Sequence, residues 1–323
     1  MLCYNNLMGR NSKGDLFVID NILMVGNQVI ILFVLIAIGF ICSKTKILKD
    51  NMVKGLTDII LYIVSPCVII NSYQREFEPE MLNGLLIALA ASAASFAVDI
   101  LLVHILVHDK DKKREGVLRF GAVFSNCGFM SLPLQNALLG ADGVFYGTTY
   151  IAVVNILLWT YGVCVMSGDT KNISVKNIIT NPGIIGTILG VVIFVFSVKL
   201  PSVISEPLRY LAALNTPIPM LIIGYHLAHT RIKISGAPTI ISIIFRLIIS
   251  PAIMLTGLYL FGIRGPIMVA CVVAAAAPYA ATTTMFSEKF GGDTALSAAC
   301  VSVTTLISVL TMPLIIGIAS MVK

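Results

Sequence analysis

Arg246 and Asp99 are charged side chains set inside long apolar runs, one a permanent cation and the other a proton acceptor. A lone charge at the centre of a bilayer costs about 2.5–3.5 kcal/mol on insertion scales, so each demands a partner. Both lie about 12 Å from one end of their runs at about 1.5 Å per residue, while Asp58 is shallower. The matching depth leads us to expect an Asp99–Arg246 pair. Such a pair could handle a proton or a coupling ion. Equally, it could be structural, with Arg246 snorkelling to the headgroups and Asp99 capping or pairing with it. The uncharged polar groups of interest are Asn126 and Asn155, then Gln135 and Asn136, and last Asn71 and Asn215. Amides in apolar runs either bind a ligand or serve as hydrogen-bonding glue between helices.

Other chemistry finds little to work with. His104/His108 and His226/His229 are spaced to share a helical face, as a metal would require. Both pairs stand at the ends of apolar runs, where interfacial histidine is ordinary, and no metal site is expected. Neither His-Glu-x-x-His nor Gly-x-Ser-x-Gly occurs, nor does the phosphate loop Gly-x-x-x-x-Gly-Lys-[Ser/Thr], so an enzyme or an ATP-driven pump is not expected. The seven cysteines are scattered without a Cys-x-x-Cys, which suggests neither a disulfide framework nor zinc, and no cofactor is expected.

The elements that would position these residues are membrane helices. The 323 residues are 57% hydrophobic and 12% charged, where soluble chains carry about 25% charged residues. Ten apolar stretches approach the roughly 20 residues that span a bilayer core: 22–43, 53–73, 82–107, 117–139, 143–166, 179–198, 206–229, 238–262, 266–286 and 293–319. The first 21 residues form a polar tail that does not look like a cleavable signal, and Met24 would also make a sensible start. Short loops predict antiparallel neighbours. The net charge of +6 shows no nucleic-acid footprint, because the cations sit in short loops. Lys and Arg crowd the loops after the odd-numbered stretches, including the run 108–116, which predicts that side to be cytoplasmic and both termini to be outside. The same run reads as a cytoplasmic topology signal whose charge suits anionic lipid.

Ten helices with both ends on one side make the two five-helix halves, 22–166 and 179–323 with a linker at 167–178, opposite in orientation. Leu61–Ile70 lines up with Leu214–Ile223, which sets Pro66 on Pro219, and Pro133 lines up with Pro278. The matches keep one order through both halves, as inverted repeats do in secondary transporters. Helix 4 carries Ser125, Asn126, Gly128, Ser131 and Pro133 near its middle, and helix 9 carries Pro278 followed by Ala280, Ala281, Thr282, Thr283 and Thr284. Proline removes a backbone donor and glycine weakens a helix, so both are expected to be broken. Crossed breaks would aim free N–H groups at an anion such as a carboxylate. The alternative is a pair of ordinary proline kinks.

The run Asn126-Cys-Gly-Phe-Met-Ser-Leu-Pro133-Leu resembles the auxin efflux carrier family. So do Gly140, Asn155, Trp159-Thr-Tyr-Gly162, Asn181-Pro182, Arg246-Leu-Ile-Ile-Ser-Pro251, Ala277-Pro278-Tyr-Ala-Ala and Phe290-Gly-Gly-Asp293. The resemblance covers residue 22 to the end and points to the bacterial branch associated with malate, malonate and related carboxylates. It implies an all-α integral membrane protein of about ten helices in two inverted five-helix repeats, with helices 4 and 9 broken and crossing. Helices 1, 2, 6 and 7 would form a scaffold, and the others a moving domain. By motif match it implies a substrate site at Asn126, Gly128, Pro133, Asn155 and Pro278, with Thr282 where relatives often carry Asn. The expected function is a permease or efflux carrier of the plasma membrane for a small organic anion, with H+ or Na+ as a possible coupling ion and a homodimer as a plausible assembly. An anion channel or a membrane sensor is the alternative.

Overall fold

The computed structural model describes residues 26–230, 234 and 236–322, so the polar tail and Met24 lie outside the described residues. Besides the short helix Val175–Ile179, the helices in chain order are α1 (Gly26–Lys44), α2 (Asp50–Ser72), α3 (Pro79–Leu106), α4 (Lys112–Val123), α5 (Leu132–Leu139), α6 (Ala141–Ser167), α7 (Pro182–Val195), α8 (Ser202–His229), α9 (Ala237–Leu260), α10 (Pro266–Ala276), α11 (Thr282–Phe290) and α12 (Thr294–Met321). Among the described residues there is no strand, only an isolated antiparallel bridge between Ser125 and Tyr279. Seven helices, α1, α2, α3, α6, α8, α9 and α12, are long and apolar enough to cross a membrane. The chain is thus an all-helical, multi-pass membrane protein. α7 and α10 are apolar but shorter.

Local sequence explains where these helices start. Asn181 accepts from the Ile184 N–H at 3.1 Å and Pro182 fills the first position of α7, where its missing N–H costs nothing. Asp293 caps α12 through the Leu296 N–H at 2.9 Å. Asp111 caps α4 through the Lys113 N–H at 2.9 Å. Each such cap is worth about 1 kcal/mol.

Prolines leave a recurring signature inside the helices. Widened π turns cover Ile60–Val64, Cys127–Ser131 and Phe245–Ile249. Each ends two residues before a proline, namely Pro66, Pro133 and Pro251. Proline cannot donate to the carbonyl four residues back and its ring crowds that carbonyl. In all three cases that carbonyl (Tyr62, Phe129, Leu247) lies inside the π turn, where the wider spiral relieves the clash. A fourth π turn, Leu158–Gly162, has no proline behind it.

Two sets of helices pack tightly within themselves. α2 lies along α7 and the first half of α8, while α3, α6, α9, α10 and α12 pack on one another. α1 meets α8 backbone to backbone: a Cβ at Gly39 would strike the Leu221 main chain, and one at Gly224 the main chain of Ile36 and Phe40. Small residues allow such close approach where lipid supplies no hydrophobic drive between helices.

Candidate functional site

Residues 112–139 and 266–290, where the fourth and ninth spans are expected, each hold two helices separated by extended chain, and the two extended pieces lie against each other. α4 stops at Val123 and the chain runs extended through Phe124 and Ser125. α10 stops at Ala276, and Ala277 and Pro278 follow. The Asn126 N–H donates to the Pro278 carbonyl at 2.8 Å, and the Ala280 N–H donates to the Phe124 carbonyl at 3.0 Å. These bonds flank the Ser125–Tyr279 bridge. They pair backbone groups that would otherwise stand unpaired in apolar surroundings, which matters most inside a bilayer.

Arg246, fully buried in the π turn of α9, closes one side of this crossing. Its Nη1 donates to the Val123 carbonyl at 2.8 Å and to that of Ala122 at 3.4 Å. Its Nη2 donates to the Ala275 carbonyl and to Ser250 Oγ, the latter at 2.7 Å. The guanidinium therefore joins the carboxyl ends of α4 and α10, where the helix dipoles place partial negative charge. Ser250 Oγ in turn donates to Asp99 Oδ2 at 2.5 Å. The expected Asp99–Arg246 pair takes the form of a link through Ser250, while main-chain carbonyls accept from the two Nη groups and Nε has no partner among the described residues. Ser125 Oγ adds a bond to the Ala274 carbonyl at 2.9 Å.

Tyr279 is anchored across the crossing. Its hydroxyl meets Ser242 Oγ, which donates to the Leu118 carbonyl at 2.7 Å, and its N–H donates to Thr304 Oγ1 at 3.2 Å. The ring lies over Gly121, where a Cβ would overlap it.

The other side of the crossing is unfinished. Asn126 is 4% exposed, yet its Nδ2 has no acceptor among the described residues. The hydroxyls of Thr282 and Thr283, at the start of α11, are also buried without partners among the described residues. Gly128 opens onto free space, with no atom within 4 Å of where a Cβ would stand. Pro133 is the second residue of α5, and Pro278 contributes its carbonyl. Thus Asn126, Gly128, Pro278 and Thr282 gather around the two interruptions. Asn155 makes no hydrogen bond to them among the described residues, and its amide lies against Gly183 at the start of α7. Gln135 donates to the Ala270 carbonyl at 2.8 Å and so ties α5 to α10. Asn215, ranked last in the sequence, donates to the Gly128 carbonyl at 3.0 Å and brings α8 to the crossing. Its only signal was its place beside Pro217 and Pro219.

A family model described as membrane transport protein matches residues 24–178 and 169–316. The chain belongs to this family, that of the auxin efflux carriers. Membership makes it a membrane transport protein rather than an enzyme. Similar chains carry the same description. An uncharacterized transporter of Methanocaldococcus jannaschii is 28% identical over 297 residues, 88% of this chain and 96% of the relative. An uncharacterized transporter of Methanothermobacter thermautotrophicus is 22% identical over 88% of this chain and 95% of its own. A protein of Rhizobium meliloti named "Putative malonate transporter" is 22% identical over 87% of this chain and 91% of its own.

Proposed function

We propose that the protein is a secondary carrier of the plasma membrane that moves a small carboxylate by alternating access, with its substrate held at the crossing of 112–139 and 266–290. The observation that carries this reading is the unfinished side of the crossing, where the Asn126 amide and the Thr282 and Thr283 hydroxyls are buried without acceptors. A buried donor left unpaired costs about 1–3 kcal/mol, which an arriving acceptor recovers. The half-helices α5 and α11 begin here, and helix N-termini favour anions. Asn126, Gly128, Pro278 and Thr282 would line the site, with Pro133 holding the start of α5. Asn155 would act from the α6–α7 contact.

In this reading α4–α5 and α10–α11 are each one interrupted span, which gives ten crossings in two inverted halves, 22–166 and 179–323, joined at 167–178. Contacts among the loops support it, because ten crossings put alternate loops on the same side. Arg75 pairs with Asp142 and Lys199 with Glu76, both at 2.8 Å, in loops and at a helix start that would face outward with the termini. Arg114 pairs with Asp293 at 3.7 Å and Lys44 Nζ donates to the Ala228 carbonyl at 2.8 Å, at helix ends that would face the cytoplasm. The packing of α2 with α7 and α8 supports a scaffold that includes α1, with the remaining helices moving against it.

The test is uptake into proteoliposomes of malate, malonate, lactate and indole-3-acetate under imposed proton and sodium gradients. Saturable flux of at least one carboxylate is expected. No saturable flux for any of them would remove the substrate reading, and flux at channel rates would remove the carrier.

A further inference from the structure

We infer that Arg246 is a resident cation, occupying the place at the crossing where an ion-coupled carrier binds a free one, so that this protein works without sodium. The inference rests on the carrier reading for its consequence and on the geometry of Arg246 for its content. In carriers with interrupted helices, the carboxyl ends of half-helices and nearby unwound carbonyls are the groups that coordinate a coupling cation. Here those groups are already taken. Carbonyls from the ends of both α4 and α10, together with the Ser250 hydroxyl, all accept from one guanidinium. Asp99, 1% exposed, stands behind Ser250 and supplies a carboxylate one hydrogen bond removed. Carbonyl, hydroxyl and carboxylate oxygens gathered around a positive centre form a hard-oxygen set of the kind that binds alkali and alkaline-earth ions. A side chain tethered to α9 fills it permanently.

Two consequences follow from the chemistry. With Arg246 in place, no free cation gains access to these oxygens. With Arg246 truncated, the oxygens keep their arrangement and lose their charge partner, which leaves a void shaped for a planar cation with several N–H donors. Guanidinium and methylguanidinium fit that void and choline does not.

The experiment uses the purified full-length protein in detergent, with Tm read in choline chloride, sodium chloride and low concentrations of guanidinium or methylguanidinium chloride at constant ionic strength. Wild type is expected to show no sodium-selective or guanidinium-selective rise in Tm. Arg246→Ala is expected to melt lower and to regain Tm in a saturable way with methylguanidinium. A folded Arg246→Ala that shows no such selective rise overturns the proposal, as does a sodium-selective rise in wild type. Should Arg246→Ala aggregate, its yield of monodisperse protein becomes the readout: recovery when methylguanidinium is present throughout purification supports the proposal, and no recovery overturns it. Arg246→Lys keeps a tethered cation and is expected to stay insensitive to added cations. Tm needs no substrate, so the two readings fail separately. Cation rescue without carboxylate flux removes the substrate reading alone, and carboxylate flux by a sodium-stabilised wild type removes this proposal alone.

Discussion

The two sides of the crossing are built on opposite plans. On the side where α4 and α10 end, the carbonyls of Ala122, Val123 and Ala275 accept from Arg246 and that of Ala274 accepts from Ser125, and only Arg246 Nε and Asp99 Oδ1 of the side-chain atoms named there have no partner among the described residues. On the side where α5 and α11 begin, the Asn126 amide and two threonine hydroxyls have none, and Gly128 faces open space. The acceptor ends of the helices are thus tied up by side chains, and the donor ends are left available. Groups that are already satisfied hold the structure together, and groups that are buried and unsatisfied are where a ligand gains most.

That contrast makes distinct demands on variants. On the sealed side, Arg246→Ala leaves several carbonyls and the Ser250 hydroxyl without their donor and removes the cation nearest Asp99, and the expected loss is about 3–5 kcal/mol, as for other broken buried ionic networks. Thermal or denaturant unfolding measures it, and a loss no larger than that of Asn126→Ala would erase the distinction between the sides. Ser250→Ala breaks only the relay to Asp99 and is expected to cost about 1–3 kcal/mol. On the available side, Asn126→Ala is expected to raise KM roughly tenfold, equivalent to about 1.4 kcal/mol, with Tm unchanged. A lowered Tm with unchanged KM would instead make Asn126 structural glue. Thr282→Val is expected to raise KM less than Asn126→Ala does in the same uptake assay. Smallest of all is Glu76→Gln, remote from the crossing and fully exposed with its partner Lys199, for which no change in Tm is expected. Lys199 holds the Glu76 carboxyl below its usual range, so this pair persists through mild acidification and is lost only as pH falls through that lowered value. A Tm that drops on Glu76→Gln at neutral pH would show that the outer loops contribute more than their exposure implies.

Much of this was legible in the residues. Apolar length located the seven long helices, because crossing a bilayer is a constraint on composition itself. Pro133 and Pro278 fall in the two stretches that each hold a pair of helices, though they are placed differently. Pro278 lies within its extended piece, whereas the first pair of helices is separated at Phe124 to Asn126 and Pro133 is the second residue of α5, just after the π turn. Proline is at ease near a helix start, and the π turn at Cys127–Ser131 absorbs the rest of the disturbance. The partners of Arg246 were not legible. Charge logic pointed to Asp99, while the acceptors that won are main-chain carbonyls of Ala122, Val123 and Ala275, to which any residue type would contribute equally. The fit of Tyr279 over Gly121 escaped for a related reason, since a close approach across 158 positions of sequence leaves no trace in either neighbourhood.

The Ser125–Tyr279 bridge and its two flanking bonds are made by main-chain N–H and C=O groups. Bonds of that kind are indifferent to what evolution writes in the side chains. A lineage can therefore rewrite most of its sequence, as the 22–28% identities to relatives illustrate, and keep the junction intact. Novelty then needs few changes: a handful of side chains beside an inherited backbone joint is enough to try a new cargo without rebuilding the machine.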